Sequence, residues 1–256
     1  MRRNPNSAGL WLALPILAMA LAFAPTADAA MINIDVLVED PGDGTFSTIA
    51  TISSFDNSGE AASDTYDYSN FSFNGDDTIT PESDKSQIFF VMNDNGLNLY
   101  WVHDSTTDAT GGSANTTLDL MDPLGNNPPL DYIFEDEAND GFSGNPGDTL
   151  TADNNWNSGG AYTDGYVAGG LNTTLDSGWM LFANFNSDSG LSAWAATSSN
   201  GDQVDLSSYL ASSGANTSGL RVKFQLSETQ PVPEPGTVAL FGLGLFALVG
   251  LRRRKK

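Results

Sequence analysis

The chain has 256 residues, with 32 acidic and 10 basic side chains, one histidine and no cysteine. The lack of cysteine excludes disulfides, thiol catalysis, zinc–thiolate sites and iron–sulfur clusters together. A formal charge of −22 argues against nucleic acid and anionic lipid as partners.

The N-terminus opens with Arg2 and Arg3, followed by a short polar stretch and the apolar run Leu10–Phe23. As a helix that run spans about 21 Å, short of a ~30 Å hydrocarbon core, and Pro15 interrupts it. Ala27-Asp28-Ala29, followed by Ala30, is a small-x-small cleavage site. Residues 1–29 therefore read as a secretory signal peptide, cut by signal peptidase after Ala29 or Ala30. The arginine pair lacks the rest of a twin-arginine pattern, so the general secretion route is expected.

Between Ala30 and Gln230 there are 30 acids and 3 bases, a formal −27. Such a surface attracts divalent cations, keeps an exported protein soluble and discourages self-association. The region 30–227 is long enough for one domain of ordinary size or two small ones. Its apolar residues alternate, the period of a strand. Ile32, Ile34, Val36 and Val38 form the first such set, and Thr45–Ser53 the next. Tyr66, Tyr68, Phe71 and Phe73 suggest one strand with a register change near Asn70, as a bulge would give. The clearest hairpin is Gln87–His103, reversing at Asn93-Asp-Asn-Gly96. Asn-Gly flanked by apolar alternation predicts a type I′ turn, whose central residues need φ > 0. Both faces of this hairpin are apolar or aromatic, which places it at the centre of the domain. His103 ends it beside Asp104 and reads as structural.

Further strands are expected at Leu130–Glu135, Thr149–Ala152 and Tyr162–Ala168. Asp153, Asn155, Asn157 and Asp164 stand at positions 1, 3, 5 and 12 of an oxygen-rich segment, the ligand spacing of a calcium loop. Ser158 replaces the turn glycine, Asp164 is shorter than the usual glutamate, and no amphipathic helix flanks the segment. It reads either as a calcium site, the one cofactor the pattern suggests, or as an Asn/Gly-rich surface loop. Trp156 and Tyr162 in the same stretch are the aromatics placed to stack on sugar rings; Trp101 and Trp179 fall on alternating strands and read as core.

Trp179, Leu181, Ala183 and Phe185 form another strand, Asp205–Ala211 one short helix, and Leu220, Val222, Phe224 and Leu226 the last strand. Many short strands separated by turns, with no fixed repeat, predict an all-β fold: an antiparallel β-sandwich or jelly-roll-like extracellular domain. Catalysis lacks support. No Gly-x-Ser-x-Gly, His-Glu-x-x-His or phosphate-cradling loop is present, and only His103 could serve a Ser-His-Asp system.

After a linker at 228–232 comes the tail, 233–256. It consists of Pro233-Glu234-Pro235, a glycine-containing apolar stretch at 236–251, and Arg252, Arg253, Arg254, Lys255 and Lys256. Sixteen residues span about 24 Å as a helix, enough for a transmembrane helix whose flanking arginines snorkel. The five cations stay in the cytoplasm and hold the acidic body outside. Proline fixes φ and biases the preceding residue to extended backbone, so the segment around Glu234 is a stiff strand of the kind a processing enzyme binds at low entropic cost.

Val232-Pro-Glu-Pro-Gly, the short span and the terminal basic cluster resemble the PEP-CTERM sorting domain. The resemblance covers 231–256 only. It implies recognition by an exosortase, a multi-spanning membrane enzyme acting as a cysteine-dependent transpeptidase, in a Gram-negative-type cell that makes exopolysaccharide. The expected protein is a non-catalytic cell-surface or exopolysaccharide-matrix component. A sugar-binding module docking to the exopolysaccharide and a secreted polysaccharide hydrolase are the alternatives.

Overall fold

The computed structural model describes residues 31–40, 42–69, 72–73, 79–105, 111–122, 124–125, 132–135, 149–156, 163–171, 178–207 and 221–228. The described elements are fifteen strands and one five-residue helix. In chain order they are β1 (Asn33–Glu39), β2 (Phe46–Ser53), β3 (Phe55–Asp56), α1 (Ala62–Tyr66), β4 (Tyr68–Ser69), β5 (Ser72–Phe73), β6 (Lys85–Asn93) and β7 (Gly96–His103). Then follow β8 (Gly112–Met121), β9 (Tyr132–Glu135), β10 (Leu150–Trp156), β11 (Asp164–Leu171), β12 (Met180–Ser189), β13 (Ala193–Thr197), β14 (Gln203–Asp205) and β15 (Arg221–Leu226).

One sheet runs β10-β8-β12-β15-β1-β2, and every described pair in it is antiparallel. The second runs β14-β13-β6-β7-β11-β9, with β3 also on β6. That sheet is mixed, because β13 and β3 both lie parallel to β6. The expected antiparallel architecture therefore holds for one sheet and not for the other. The reason is local: β12 crosses to the second sheet through Gly190-Leu-Ser192, where Ser192 N donates to Asp84 O (2.7 Å) and sets β13 beside the start of β6. Gly190 has φ 79°, and a Cβ there would meet Gly111 O at 2.8 Å, so only glycine makes this crossing.

The two sheets share one core. Ile34, Val36, Leu118, Leu181, Ala183, Phe185, Val222 and Phe224 from the first meet Ile88, Phe90, Leu99, Trp101, Tyr166 and Trp194 from the second. Phe90 and Phe224 touch edge to face with centroids 5.2 Å apart. Each fully buried side chain of this size contributes roughly 2–3 kcal/mol. Trp101 and Trp179 belong to this core, as their strand positions predict.

The hairpin β6–β7 is central. Its other face carries Phe89, Val91, Tyr100 and Val102, buried in a second cluster with Ala62 and Tyr66 of α1. Phe89 stacks on Tyr100 (5.3 Å), Tyr100 lies beside Tyr66 (6.4 Å), and the Tyr100 hydroxyl donates to Ala62 O (3.1 Å). Two apolar faces on one hairpin thus mean two layers of cover.

Several expectations are corrected. Tyr66 lies on α1, not on a strand, because Ala62–Tyr66 folds down over the hairpin and Asn95 Oδ1 accepts from its first amide, Ala62 N (2.9 Å). Tyr68–Ser69 pairs back on Ser72–Phe73, so the break around Asn70 is a chain reversal and not a bulge. The hairpin turn is not type I′. Asn93 pairs with Gly96, and of the four turn residues only Gly96 has positive φ (93°), which fits an ordinary turn closed by a left-handed glycine. Asp205 ends β14 and its Oδ1 accepts from Ser207 N (2.8 Å), where the chain turns helical; the rest of the expected helix, 208–211, lies outside the described residues. The strand expected at Thr149–Ala152 continues as β10 to Trp156.

Candidate functional site

The described residues bring together one constellation of chemically capable side chains. Ser86 on β6, His103 on β7 and Asp164 on β11 form a row across three neighbouring strands. Strand alternation puts all three on the side that faces the other sheet. Gly165, next to Asp164, lets β11 approach closely; a Cβ there would sit 2.1 Å from Trp101 O.

Ser86 Oγ has two partners here. Trp101 Nε1 donates to Ser86 Oγ (2.7 Å), and an indole N–H can only donate. The Ser86 hydroxyl proton is then free to go to His103 Nδ1, 3.0 Å away. With the hydroxyl donating, Nδ1 is the acceptor and the neutral ring carries its proton on Nε2. From the opposite sheet Asn154 on β10 lies beside the imidazole, and its Nδ2 donates to Asp164 Oδ1 (3.1 Å). Gly165 N donates to the same oxygen (2.6 Å). The result is two short arrays side by side: Trp101, Ser86 and His103 within one sheet, and Asn154 reaching from the other sheet to the Asp164 carboxylate.

Both arrays are sealed. Ser86 and His103 are fully buried, Asn154 is 2% exposed and Asp164 4%. Trp101 and Trp194 pack around the imidazole, with centroids 6.1 and 6.0 Å from it. Burial pushes His103 down to about 3, partly opposed by Asn154, which favours the protonated ring. An imidazole of that basicity is neutral at pH 7 and a poor acceptor for a hydroxyl proton. The geometry has the connectivity of a nucleophile–base pair, with both members fully buried and the imidazole weakly basic. The Asn154–Asp164 bond ties the two sheets together at this point. The sequence pointed to His103 and Asp164 separately. It gave no hint of Ser86 or Asn154, because Ser86 gains its role from cross-strand register in the hairpin and Asn154 from reaching across to the other sheet.

The calcium-type set does not converge. Asp153 and Asn155 lie on the solvent side of β10, while Asp164 is buried in the other sheet. A strand points alternate residues to opposite faces, so a loop spacing of ligands is lost once the segment is extended. Asp153 instead accepts from Asn115 Nδ2 on β8, and Asn115 Oδ1 accepts from Asn186 Nδ2 (2.6 Å). Among the described residues no group of three or more His, Asp or Glu could hold a metal ion. Asn157 and Tyr162 lie outside the described residues. Trp156 belongs to β10, its backbone opposite Gly112, rather than to a loop. Tyr166 is core, its buried hydroxyl 3.0 Å from Thr116 Oγ1 and its pKa raised by burial.

The three bases of the body are engaged within it. Arg221 clasps Glu39 with two bonds (3.0 and 2.8 Å), which holds the Glu39 carboxyl below its ordinary range. Its guanidinium lies over Phe46 and Phe182 (5.5 and 5.4 Å). Lys223 lies over Phe46 (5.2 Å), and Lys85 pairs with Glu82 (2.6 Å).

The signal-cleavage residues Ala27, Ala29 and Ala30, the segment Pro233-Glu234-Pro235, the stretch 236–251 and the cations Arg252–Lys256 lie outside the described residues. Among the described residues no helix is long and apolar enough to cross a membrane. Residues 231–255 match the model of the PEP-CTERM protein-sorting motif. No curated protein and no solved structure matches the chain.

Proposed function

We propose that this chain, which carries a PEP-CTERM sorting motif at its C-terminus, is an exported protein processed by an exosortase and delivered to the cell envelope or exopolysaccharide matrix, where its body serves a non-catalytic role. The motif match at 231–255 carries the reading. It is supported by the order of features around it: a signal-like N-terminus, an acidic body, a stiff Pro-Glu-Pro segment, an apolar stretch and five terminal cations.

In this reading the stretch 236–251 holds the precursor in the inner membrane with the cations inside. Glu234 supplies the recognised charge, and Pro233 and Pro235 keep it extended. The non-catalytic assignment draws support from the one Ser–His–Asp row being sealed and its imidazole weakly basic. A body with a formal −27 stays soluble outside the cell and does not bind the anionic membrane surface.

The test is Glu234→Ala in the cells that make the protein. The expected result is a full-length precursor retained in the membrane fraction. Processing and release at the wild-type rate would remove exosortase recognition from the account.

A further inference from the structure

The strand that joins the first sheet is the last one in the body. β15 lies between β12 and β1. It pairs through Val222–Leu226 with Ile34–Val38 on one side and through Arg221–Gln225 with Met180–Asn184 on the other. Without it, the described sheet falls into two pieces, β1–β2 and β10–β8–β12, that share no ladder. β15 also contributes to both faces. Inward, Val222, Phe224 and Leu226 are buried, and Phe224 meets Phe90 of the opposite sheet. Outward, Arg221 binds Glu39 of β1 and lies over Phe46 of β2 and Phe182 of β12. Ser227 N donates to Asn33 O (3.0 Å), so the last strand is locked to the first.

A chain delivered from its N-terminus presents β1 first and β15 last. Until β15 arrives, β1 has one ladder only, and the core between the sheets lacks Phe224. The partners Ile34 and Leu226 are separated by almost the whole body, the kind of contact that forms late. The sorting motif begins only five residues after Leu226.

We propose that β15 is a closing strand: the body stays open throughout export and closes only when residues 221–226 have been delivered. A protease-resistant body and an accessible sorting motif are then produced by the same few residues of chain. The direction of delivery rests on the export reading above; the closing role of β15 rests on the sheet order alone.

The experiment compares protease resistance of the protein exported by its own cells in four forms: the full chain, a chain ending at Gln230, a chain ending at Gly219, and the full chain with Phe224→Asp. A full chain with Thr48→Asp, on the exposed face of the edge strand β2, is the control. The full chain, the Gln230 form and the control should yield the same resistant fragment. The Gly219 form and Phe224→Asp should be digested with loss of that fragment. A resistant fragment from the Gly219 form equal to that of the Gln230 form would overturn the proposal, as would digestion of the Gln230 form. The mass of the full chain's C-terminus, read in the same samples, reports on exosortase processing independently. An uncut tail there would fault the sorting reading and leave the protease comparison intact.

Discussion

Two short stretches of this protein have nearly the same composition and opposite fates. Asn93-Asp94-Asn95-Gly96 reverses the chain between β6 and β7, while Asp153-Asn154-Asn155 runs straight through β10. The difference is not in the Asn and Asp residues, which favour turns in both places. The first stretch has Gly96, which takes φ 93°, and it is flanked by apolar strands that pair only if the chain turns there. The second has no glycine before Gly159, and two of its side chains find partners when extended: Asp153 outward to Asn115, Asn154 inward to Asp164. Turn-forming residues make a turn when a left-handed position is available, and join a sheet when their polar groups are better satisfied there.

The largest test of that contrast is His103, the buried imidazole beside Asn154. Its pKa is near 3 when folded and about 6.5 unfolded. The folded state therefore binds fewer protons between these values, and stability falls as pH drops below about 6.5. The expected slope between pH 6 and 5 is about 1.4 kcal/mol per unit, adding up to roughly 4 kcal/mol by pH 3.5. Urea midpoints at several pH values measure it. The variant His103→Gln should lose that slope between pH 6 and 5, and a slope unchanged in the variant would show that other groups dominate. Next, Asn154→Ala removes a buried donor from Asp164 and should cost about 2–3 kcal/mol. Gly96→Ala places a side chain at φ 93° with no atom within 4 Å of the new Cβ, so its cost is conformational alone, about 1–2 kcal/mol. Asp153→Ala, on the exposed face, should change stability by less than about 0.5 kcal/mol. Wild type and Asp153→Ala should also show the same melting temperature with calcium as with magnesium. A calcium-specific rise in wild type that disappears in the variant would restore Asp153 as a metal ligand.

The same contrast explains what could be read before the structure was known. Alternation of Ile34, Val36 and Val38, of Leu181, Ala183 and Phe185, and of Val222, Phe224 and Leu226 marks strands with one buried face, because the pleat itself has that period. The doubly apolar hairpin announced its central place for the same reason. Local pattern could not give the parallel pairing of β13 with β6, since that depends on a crossing at Gly190. Nor could it give α1, whose five residues are too few to show a helical period. The buried roles of Ser86 and Asn154 were equally hidden, because serine and asparagine signal the surface unless another strand supplies a buried partner. The tail is the opposite case. Its meaning sits in contiguous residues, so the motif at 231–255 was legible from sequence without any fold.

The central claim is that the tail is a processing signal and not part of the finished protein. The most direct measurement is the intact mass and C-terminal peptide of the mature protein isolated from the cells that make it. The account predicts a chain that begins at Ala30 or Met31 and ends within Pro233-Glu234-Pro235, with the apolar stretch and the five cations gone. A mature chain that still ends at Lys256 would contradict it.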